Sequence, residues 1–228
     1  MQQLEVIARI HTDFSSKFGI PRQSGLIDAL KGQIVFEPPY RDPSALRGIE
    51  GYSHLWLIWQ FSESVIERWS PTVKPPRLGG NRRMGVFATR SPFRPNPLGL
   101  SCVKLERVEL ATREGPVLHV AGADLLDGTP IYDIKPYLPY VDCQPQATGG
   151  FTDSVTYAHL EVDFPEALLA VIPEDKRRAL IEVLAQDPRP GYRHGEDARR
   201  YGVEFAGFDV RFTVSGDRLT VCEVVALS

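Results

Sequence analysis

Short apolar and alternating runs dominate the first 140 residues of the chain, and turn-forming residues separate them. Alternation of apolar and polar positions with a period of two is typical of strands that turn one face to a core. In the run 100–110 we expect Leu100 to face that core and Ser101 to face solvent. The clearest runs are LEVIARI (4–10), HLWLIWQF (54–61), MGVFAT (84–89), LSCVKLERVEL (100–110) and PVLHVAGADLL (116–126).

Helical patterns are scarce in this part of the chain. Many strands with few crossover helices favour a closed or nearly closed β-structure, because closure removes exposed strand edges. A doubly wound nucleotide-binding fold would need alternating helices and a glycine-rich first turn, and LGGNRRMG does not supply the GxGxxG pattern. We therefore predict a mainly β protein whose residues 1–142 form an N-terminal β-barrel domain.

A second unit follows a segment in which the amino-acid composition changes. The small and polar residues of CQPQATGGFTD (143–153) predict a linker, and residues 154–228 predict a small α+β domain. PEALLAVIPEDKRRALIEVLAQDPRP contains its main helix, with Leu180, Ile181 and Leu184 as the apolar stripe and Pro188 as the stop. The β-runs VEFAGFDVRFTV (203–214) and RLTVCEVVAL (218–227) predict a hairpin around SGD.

Composition is that of a soluble globular protein, with 228 residues of which 43% are hydrophobic. Cys102, Cys143 and Cys222 are far apart and form no CxxC pair, so neither a disulfide framework nor a zinc site is expected. The start of the chain lacks the pattern of a signal peptide, and no apolar stretch approaches the length of a membrane span. We expect a cytoplasmic protein without a metal.

Charge is distributed unevenly along the chain. The formal net charge is -3, yet no Asp or Glu occurs between Arg68 and Leu105, a window that contains eight basic residues. A concentrated positive face suits a polyanion such as nucleic acid. A solvated loop, neutralised by acidic segments folded against it, is the alternative.

The segment GVFATRSPFRPNPLGLS (85–101) lies in this basic window. Its three prolines each fix φ, so they hold Arg94 and Asn96 in place before a ligand arrives and lower the entropy cost of binding. A stiff corner between two strands, with arginines for solubility, is the other interpretation.

A second dense segment, DLLDGTPIYDIKPYLPYVD (124–142), combines carboxylates, one lysine and three tyrosines. Asp133 and Lys135 are two residues apart in an extended run, so both side chains emerge from one face. The pair is either a structural salt bridge or an acid–base couple, and the tyrosines offer a surface on which a base could stack.

These motifs resemble one family. PRQSG, GYSHLWLIWQF, PPRLGGNRRMGVFATRSPFRPNPLGLS, DLLDGTPIYDIKPYLPY and LAQDPRPGYR are similar to the TrmO family, also called TsaA-like or YaeB-like proteins. The resemblance implies a homodimeric tRNA methyltransferase with an N-terminal β-barrel. It would use S-adenosylmethionine, held near the subunit interface, to methylate N6 of threonylcarbamoyladenosine at position 37 in the anticodon stem-loop.

The resemblance also implies a set of site residues. For RNA it suggests the basic window and one tyrosine: Arg77, Arg82, Arg83, Arg94 and Tyr137. For the cofactor it suggests Pro21, Arg22, Gln23, His54, Leu55, Arg90, Leu100, Asp124, Leu125, Leu126 and Asp127. For His54 a place in the core, and for Arg22 an ordinary surface charge, are the alternatives.

The implied chemistry needs a base, because N6 of this nucleoside belongs to a urea whose lone pair is delocalised. Asp133 is our candidate, with Lys135, Arg94 and Asn96 as candidate donors to the carbonyl or the threonyl carboxylate. A non-catalytic β-barrel that binds RNA and responds to S-adenosylmethionine is the alternative function.

Overall fold

The structure is a computed structural model that describes residues 4–64, 66, 68–75, 82–154, 159–189 and 199–227. Twelve strands lie in these ranges, and most of them belong to two sheets. Their bounds are β1 Ala8–Thr12, β2 Lys31–Phe36, β3 His54–Gln60, β4 Thr72–Val73, β5 Met84–Gly85, β6 Leu98–Thr112, β7 Gly115–Ala121, β8 Thr129–Pro136, β9 Glu161–Asp163, β10 Tyr201–Phe205, β11 Phe208–Ser215 and β12 Arg218–Ala226.

Six of the described strands close into a barrel in the order β1-β2-β7-β6-β3-β8, and every neighbouring pair is antiparallel. Alternation builds this barrel: in β3, Leu55, Leu57 and Trp59 are buried inside, while Trp56 and Ile58 point outward and are half-buried. The predicted N-terminal β-barrel is confirmed.

The face predicted for β6 was wrong. Ser101 is fully buried and Leu100 is 55% exposed, the reverse of the expected pattern. Gly99, Ser101 and Val103 face inward before the first register shift of the β6–β7 pairing, between Leu105 and Arg107, and Val108 packs on the core after it. The apolar residues on one side of a bulge therefore do not predict the inner face on the other side.

A second sheet has the order β10-β11-β12-β9 within the described residues, with β9 parallel to β12. Three α-helices are described: α1 Pro139–Asp142, α2 Glu166–Leu169 and α3 Glu174–Ala185. The inner face of α3 is formed by Ala179, Leu180, Val183 and Leu184, whereas Ile181 of the predicted stripe is half-buried. The predicted small α+β unit is confirmed, and β11 and β12 form its hairpin.

Two predicted runs were wrong in detail. VEFAGFDVRFTV is not one strand, because Ala206 and Gly207 adopt positive φ values of 51° and 82° and turn the chain between β10 and β11. MGVFAT contributes the two residues of β5, and Val86–Ala88 continue as a 3-10 turn.

An N-terminal segment belongs to the C-terminal core. Phe14, Ile27 and Leu30 are buried in the same apolar cluster as α3 and the second sheet. The Phe14 and Phe205 rings meet edge to face with centroids 5.3 Å apart. The segment between β1 and β2 therefore connects the barrel to the second unit, while the domain division at residues 143–153 stays a prediction.

Candidate active site

The chain from Pro21 to Gly25 is attached to the barrel beside the part of β6 that β7 does not cover. Lys104 pairs with Ala121, the last residue of β7, so the residues of β6 that precede Lys104 have no partner in β7. The Cys102 amide donates instead to Ser24 Oγ at 3.0 Å, and the Gly25 amide donates to the Gly122 carbonyl at 2.9 Å. This segment therefore takes the place of a strand along an open edge.

Close backbone contact fixes the position of this segment. A Cβ atom on Gly122 would lie 3.2 Å from the Gly25 Cα atom, and Gly122 has a φ of 77°. Both facts favour glycine at position 122, because a side chain would push the segment off the barrel. The edge between β6 and the residues after β7 thus has a defined shape.

A chain of polar groups starts inside the barrel and ends at this edge. Trp59 Nε1 donates to Ser101 Oγ at 2.9 Å, and Ser101 Oγ donates to Asp124 Oδ1 at 2.6 Å. Ser101 is fully buried, so its hydroxyl is satisfied by these two partners. The chain orients one oxygen of the Asp124 carboxyl from the protein side.

The electrostatics of Asp124 are shifted by its surroundings. Burial raises the pKa of this carboxyl above its usual value, although the Ser101 hydrogen bond and the positive charge of Arg90 oppose the shift. A carboxyl with a raised pKa at an open edge is typical of functional sites. Asp124 is therefore the strongest candidate for ligand contact in this region.

Arg90 connects the proline-rich segment to Pro21–Gly25. Its Nη1 donates to Gln23 Oε1, and Gln23 Nε2 donates to the Arg22 carbonyl. Pro21 is buried, whereas Arg22 and Arg90 are exposed. The structure thus brings together five of the residues suggested for the cofactor: Pro21, Arg22, Gln23, Arg90 and Asp124.

Four other residues suggested for the cofactor have contacts within the barrel core or a turn. The Leu55 and Leu125 side chains are buried in the barrel core. Asp127 accepts from the Thr12 amide at 3.0 Å and lies 3.1 Å from His11 Nδ1, while the Leu126 carbonyl accepts from Thr129 Oγ1 at 2.7 Å. The contacts of Leu126 and Asp127 are those of a turn that leads into β8.

The outer face of β8, β3 and β6 contains a second group. The His54 and Tyr137 ring centroids are 6.2 Å apart, and Trp56 lies 5.8 Å from Tyr137 and donates through Nε1 to Asp142 Oδ2 at 3.0 Å. Leu100 lies opposite Ile58 on the same face. His54 is half-buried in this aromatic group and does not lie in the barrel core.

Asp133 and Lys135 lie on β8 opposite Ile58 and Trp56. Lys135 Nζ is 2.9 Å from Asp133 Oδ2, and the Lys135 side chain is exposed whereas Asp133 is half-buried. The Ile134 amide donates to Asp133 Oδ1 at 2.9 Å. The two residues form an ion pair, which is compatible with both interpretations of the sequence.

The proline-rich segment is held by its own hydrogen bonds. Arg94 Nη1 donates to the Thr89 carbonyl at 3.2 Å, and the Phe61 amide, next to β3, donates to the Pro97 carbonyl at 2.9 Å. The Asn96 carbonyl accepts from the Leu98 amide at 2.7 Å, and the Asn96 side chain is exposed. The segment presents Asn96 to solvent on a fixed backbone.

The basic window is partly described. Arg82 and Arg83 are exposed, and Arg83 Nη1 donates to Thr72 Oγ1 at 2.9 Å. Arg77 lies outside the described residues.

Ser24, Ser101 and Trp59 were missed by the sequence analysis. Ser101 and Trp59 belong to runs that were assigned correctly as strands, and a signal was available in the inward position that Ser101 shares with Val103. No local pattern predicts that Ser24 would cover the Cys102 amide, because the two residues are 78 positions apart.

Comparison with known proteins decides the family. The model of the tRNA-methyltransferase O N-terminal domain matches residues 9–143, and that of the TrmO C-terminal domain matches residues 157–227. The chain belongs to the TrmO family. The resemblance inferred from the motifs is thereby confirmed.

Named relatives agree with the TrmO assignment. A tRNA (adenine(37)-N6)-methyltransferase of Escherichia coli K12 is 43% identical over 93% of both chains. The human protein of the same name is 36% identical over 60% of this chain and 30% of its own length. A crystal structure of TrmO from Pseudomonas aeruginosa is 33% identical, has a TM-score of 0.78, and covers 99% of this chain and 100% of its own.

Two further findings concern the described part of this TrmO chain. Every helix there is too short or too polar to cross a lipid bilayer. Among the same residues, the His, Cys, Asp and Glu side chains form no group of three or more that could hold a metal ion.

Proposed function

We propose that this protein is an S-adenosylmethionine-dependent tRNA methyltransferase that methylates N6 of adenine 37 in the anticodon loop, with threonylcarbamoyladenosine as the acceptor. The observation that carries the proposal is the 43% identity, over 93% of both chains, with a relative named tRNA (adenine(37)-N6)-methyltransferase. Its place of action is the cytoplasm, which agrees with the free state of Cys102, Cys143 and Cys222 among the described residues.

The cofactor is placed at the edge formed by Pro21–Gly25, Arg90 and Asp124. The donor set there fits S-adenosylmethionine, because Arg90 offers a cation for the methionyl carboxylate and Asp124 offers an anion for the sulfonium or the ribose hydroxyls. When bound, S-adenosylmethionine supplies an electrophilic methyl group. The Trp59, Ser101 and Asp124 chain holds the carboxyl in place, which lowers the reorganisation needed on binding.

Methyl transfer forms an N–C bond at N6, breaks the S–C bond with its electron pair left on sulfur, and releases the N6 proton. Asp133 is the proposed acceptor of that proton, and Lys135, 2.9 Å away, orients its carboxylate. Lys135, Arg94 and Asn96 are the proposed donors to the urea oxygen or the threonyl carboxylate. His54, Leu100 and Tyr137 line the outer barrel face on which Asp133 and Lys135 lie.

Phosphate contacts are assigned to Arg77, Arg82, Arg83 and Arg94. Replacing Arg82 and Arg83 by alanine is expected to weaken tRNA binding and to lower the slope of log affinity against log salt by roughly one to two units, because each arginine gives up one phosphate contact. Titrations of tRNA at several salt concentrations check this. Affinity for S-adenosylmethionine serves as the control and should stay unchanged, and an unaltered salt slope would remove both arginines from the RNA interface.

The active form is proposed to be a homodimer with the cofactor near the subunit boundary. The outer face of the barrel supports this, because it is apolar: Trp56 and Ile58 of β3 point away from the barrel, and Leu100 beside them is 55% exposed. An exposed apolar surface of this kind is typical of a contact between subunits. Mixing a variant impaired at Arg90 with one impaired at Asp133 should restore part of the activity if the two groups act across the boundary. A fully active monomer in light scattering would contradict the dimer.

Methyl transfer from labelled S-adenosylmethionine to bulk tRNA tests the activity itself. Turnover is expected with tRNA and not with the cofactor alone. A relative from Pyrococcus abyssi, 33% identical over 147 residues, is named a probable S-adenosyl-L-methionine-binding protein. A protein that binds the cofactor without transferring its methyl group is therefore the alternative that this assay tests. Binding of cofactor and tRNA without turnover would favour that function.

A further inference from the structure

Two large aromatic side chains stand in solvent beside the basic residues. Trp69 is 50% exposed and Phe87 is 74% exposed. Their ring centroids are 6.3 Å apart, and the ring planes are tilted by 32°. Together the rings form one apolar surface, which we call the Trp69–Phe87 platform.

The backbone beneath the platform is anchored. Trp69 lies just before β4 and Phe87 just after β5, and these strands pair Thr72 with Gly85. The Val86 amide donates to the Pro71 carbonyl at 2.9 Å, and the Val86 side chain is buried. The exposed rings therefore sit on a folded support, so their exposure is a property of this hairpin.

The charge around the platform selects its partner. Arg82 and Arg83 are exposed on the same hairpin, and no acidic residue occurs in the sequence from Arg68 to Leu105. A second copy of this face would bring these arginines against their equivalents, so like charges would oppose such a contact. A partner that combines negative charge with flat apolar groups fits both features, and unpaired nucleic acid bases have this combination.

The platform is close to the proposed cofactor edge. Phe87 precedes Arg90 by three residues, so their Cα atoms are at most about 11 Å apart. A base stacked on the platform would therefore lie near Arg90 at the proposed cofactor edge. We propose that the Trp69–Phe87 platform stacks on an unpaired base of the anticodon loop close to the methylated adenine and thereby positions the loop, an inference that rests on the proposed function.

Titration of the full-length protein with a synthetic anticodon stem-loop RNA, and with a fully paired RNA duplex of equal length, tests the platform. Trp69→Ala and Phe87→Ala should each lower affinity for the stem-loop by about five- to tenfold and leave duplex affinity unchanged, since stacking needs an unpaired base. Trp69→Phe should keep most of the affinity. Leu110→Ala, which removes an apolar side chain that is also 50% exposed, is the matched control and should change neither affinity.

The possible results separate the stacking proposal from its alternatives and from the proposed function. Equal losses for stem-loop and duplex would indicate a general effect on RNA binding or on folding, and melting temperatures identify the latter. Unchanged stem-loop affinity combined with a change of mass in light scattering would indicate a contact between copies. If the wild-type protein binds the stem-loop through the platform but transfers no methyl group, the platform stands and the proposed function fails. If it methylates tRNA while both alanine variants keep the wild-type KM for tRNA, the platform fails alone.

Discussion

Gly99→Ala is expected to lower both the stability of the protein and its affinity for S-adenosylmethionine. A Cβ atom at position 99 would lie 2.2 Å from Trp59 Cε2, well inside van der Waals contact. The Trp59 ring cannot move aside freely, because it is buried against Phe61 with centroids 4.3 Å apart and donates to Ser101. Overpacking of this kind costs about 1–3 kcal/mol or more of the free energy of unfolding.

Affinity should fall as well, because the displaced Trp59 would release the hydroxyl that orients Asp124. Thermal unfolding and calorimetric titration with S-adenosylmethionine measure the two effects. Gly85→Ala is the matched control, since a Cβ atom there would meet nothing within 4 Å. Adding Trp59→Leu to Gly99→Ala should recover part of the lost stability, because the two sites share one space. Wild-type melting in Gly99→Ala would show that the β3–β6 contact is looser than described.

Asp124→Asn should weaken S-adenosylmethionine binding by about 30-fold or more, because removing one partner of a buried, hydrogen-bonded charge pair costs about 2 kcal/mol or more. The amide oxygen can still accept from Ser101 Oγ, so the substitution removes the charge and keeps the hydrogen bond. Calorimetry of both proteins across pH measures the effect. Asp175→Asn, an exposed aspartate in the first turn of α3, offers a matched comparison variant outside the polar chain.

The pH dependence has a defined sign. Because the pKa of Asp124 is raised, its carboxyl stays neutral to a higher pH than an ordinary aspartate, and affinity for the cationic cofactor should fall as pH drops through that pKa. S-adenosylhomocysteine, which lacks the sulfonium charge, should depend less on pH, and Asp124→Asn should flatten the dependence. Equal pH profiles for wild-type and variant would exclude a contact between Asp124 and the sulfonium.

Stability gives an independent check on the same carboxyl. The folded protein binds the Asp124 proton more tightly than the unfolded chain, so the contribution of this group to the free energy of unfolding falls as pH rises from the ordinary aspartate pKa to the raised one. Above that window the contribution is constant. Asp124→Asn has no carboxyl to titrate here, so its free energy of unfolding should not fall over this pH window. If this variant is as stable as the wild-type protein but binds the cofactor more weakly, the substitution acts on binding.

The sequence predicted the barrel because alternation is a local property. Leu55, Leu57 and Trp59 recur every second residue, and that period alone assigns β3 and its inner face. The face of β6 was misjudged because a register shift between Leu105 and Arg107 changes which of its residues face inward, and such a bulge depends on the partner strand. The turn between β10 and β11 was not predicted, because alanine rarely adopts the positive φ that Ala206 has there.

Only part of the candidate site was predicted, because its residues meet through contacts between distant parts of the chain. Gln23, Arg90 and Asp124 were reached through motifs that resemble TrmO, although nothing in their local pattern places them together. Their meeting depends on the termination of β7 at Ala121 and on the hydrogen bond from the Cys102 amide to Ser24, contacts between distant parts of the chain. Ser101 was overlooked because a serine among apolar residues predicts a solvent-facing position unless its partners are known.

Nucleoside mass spectrometry of tRNA after incubation with the protein shows whether the protein methylates adenine 37. The substrate is tRNA from cells that lack this methyltransferase activity, supplied with S-adenosylmethionine and fragmented so that position 37 can be identified. We expect one added methyl group on threonylcarbamoyladenosine at position 37, and no product from Asp133→Asn at comparable cofactor affinity. A protein that binds both S-adenosylmethionine and tRNA but leaves this nucleoside unmethylated, or that methylates another position, would contradict the proposed function.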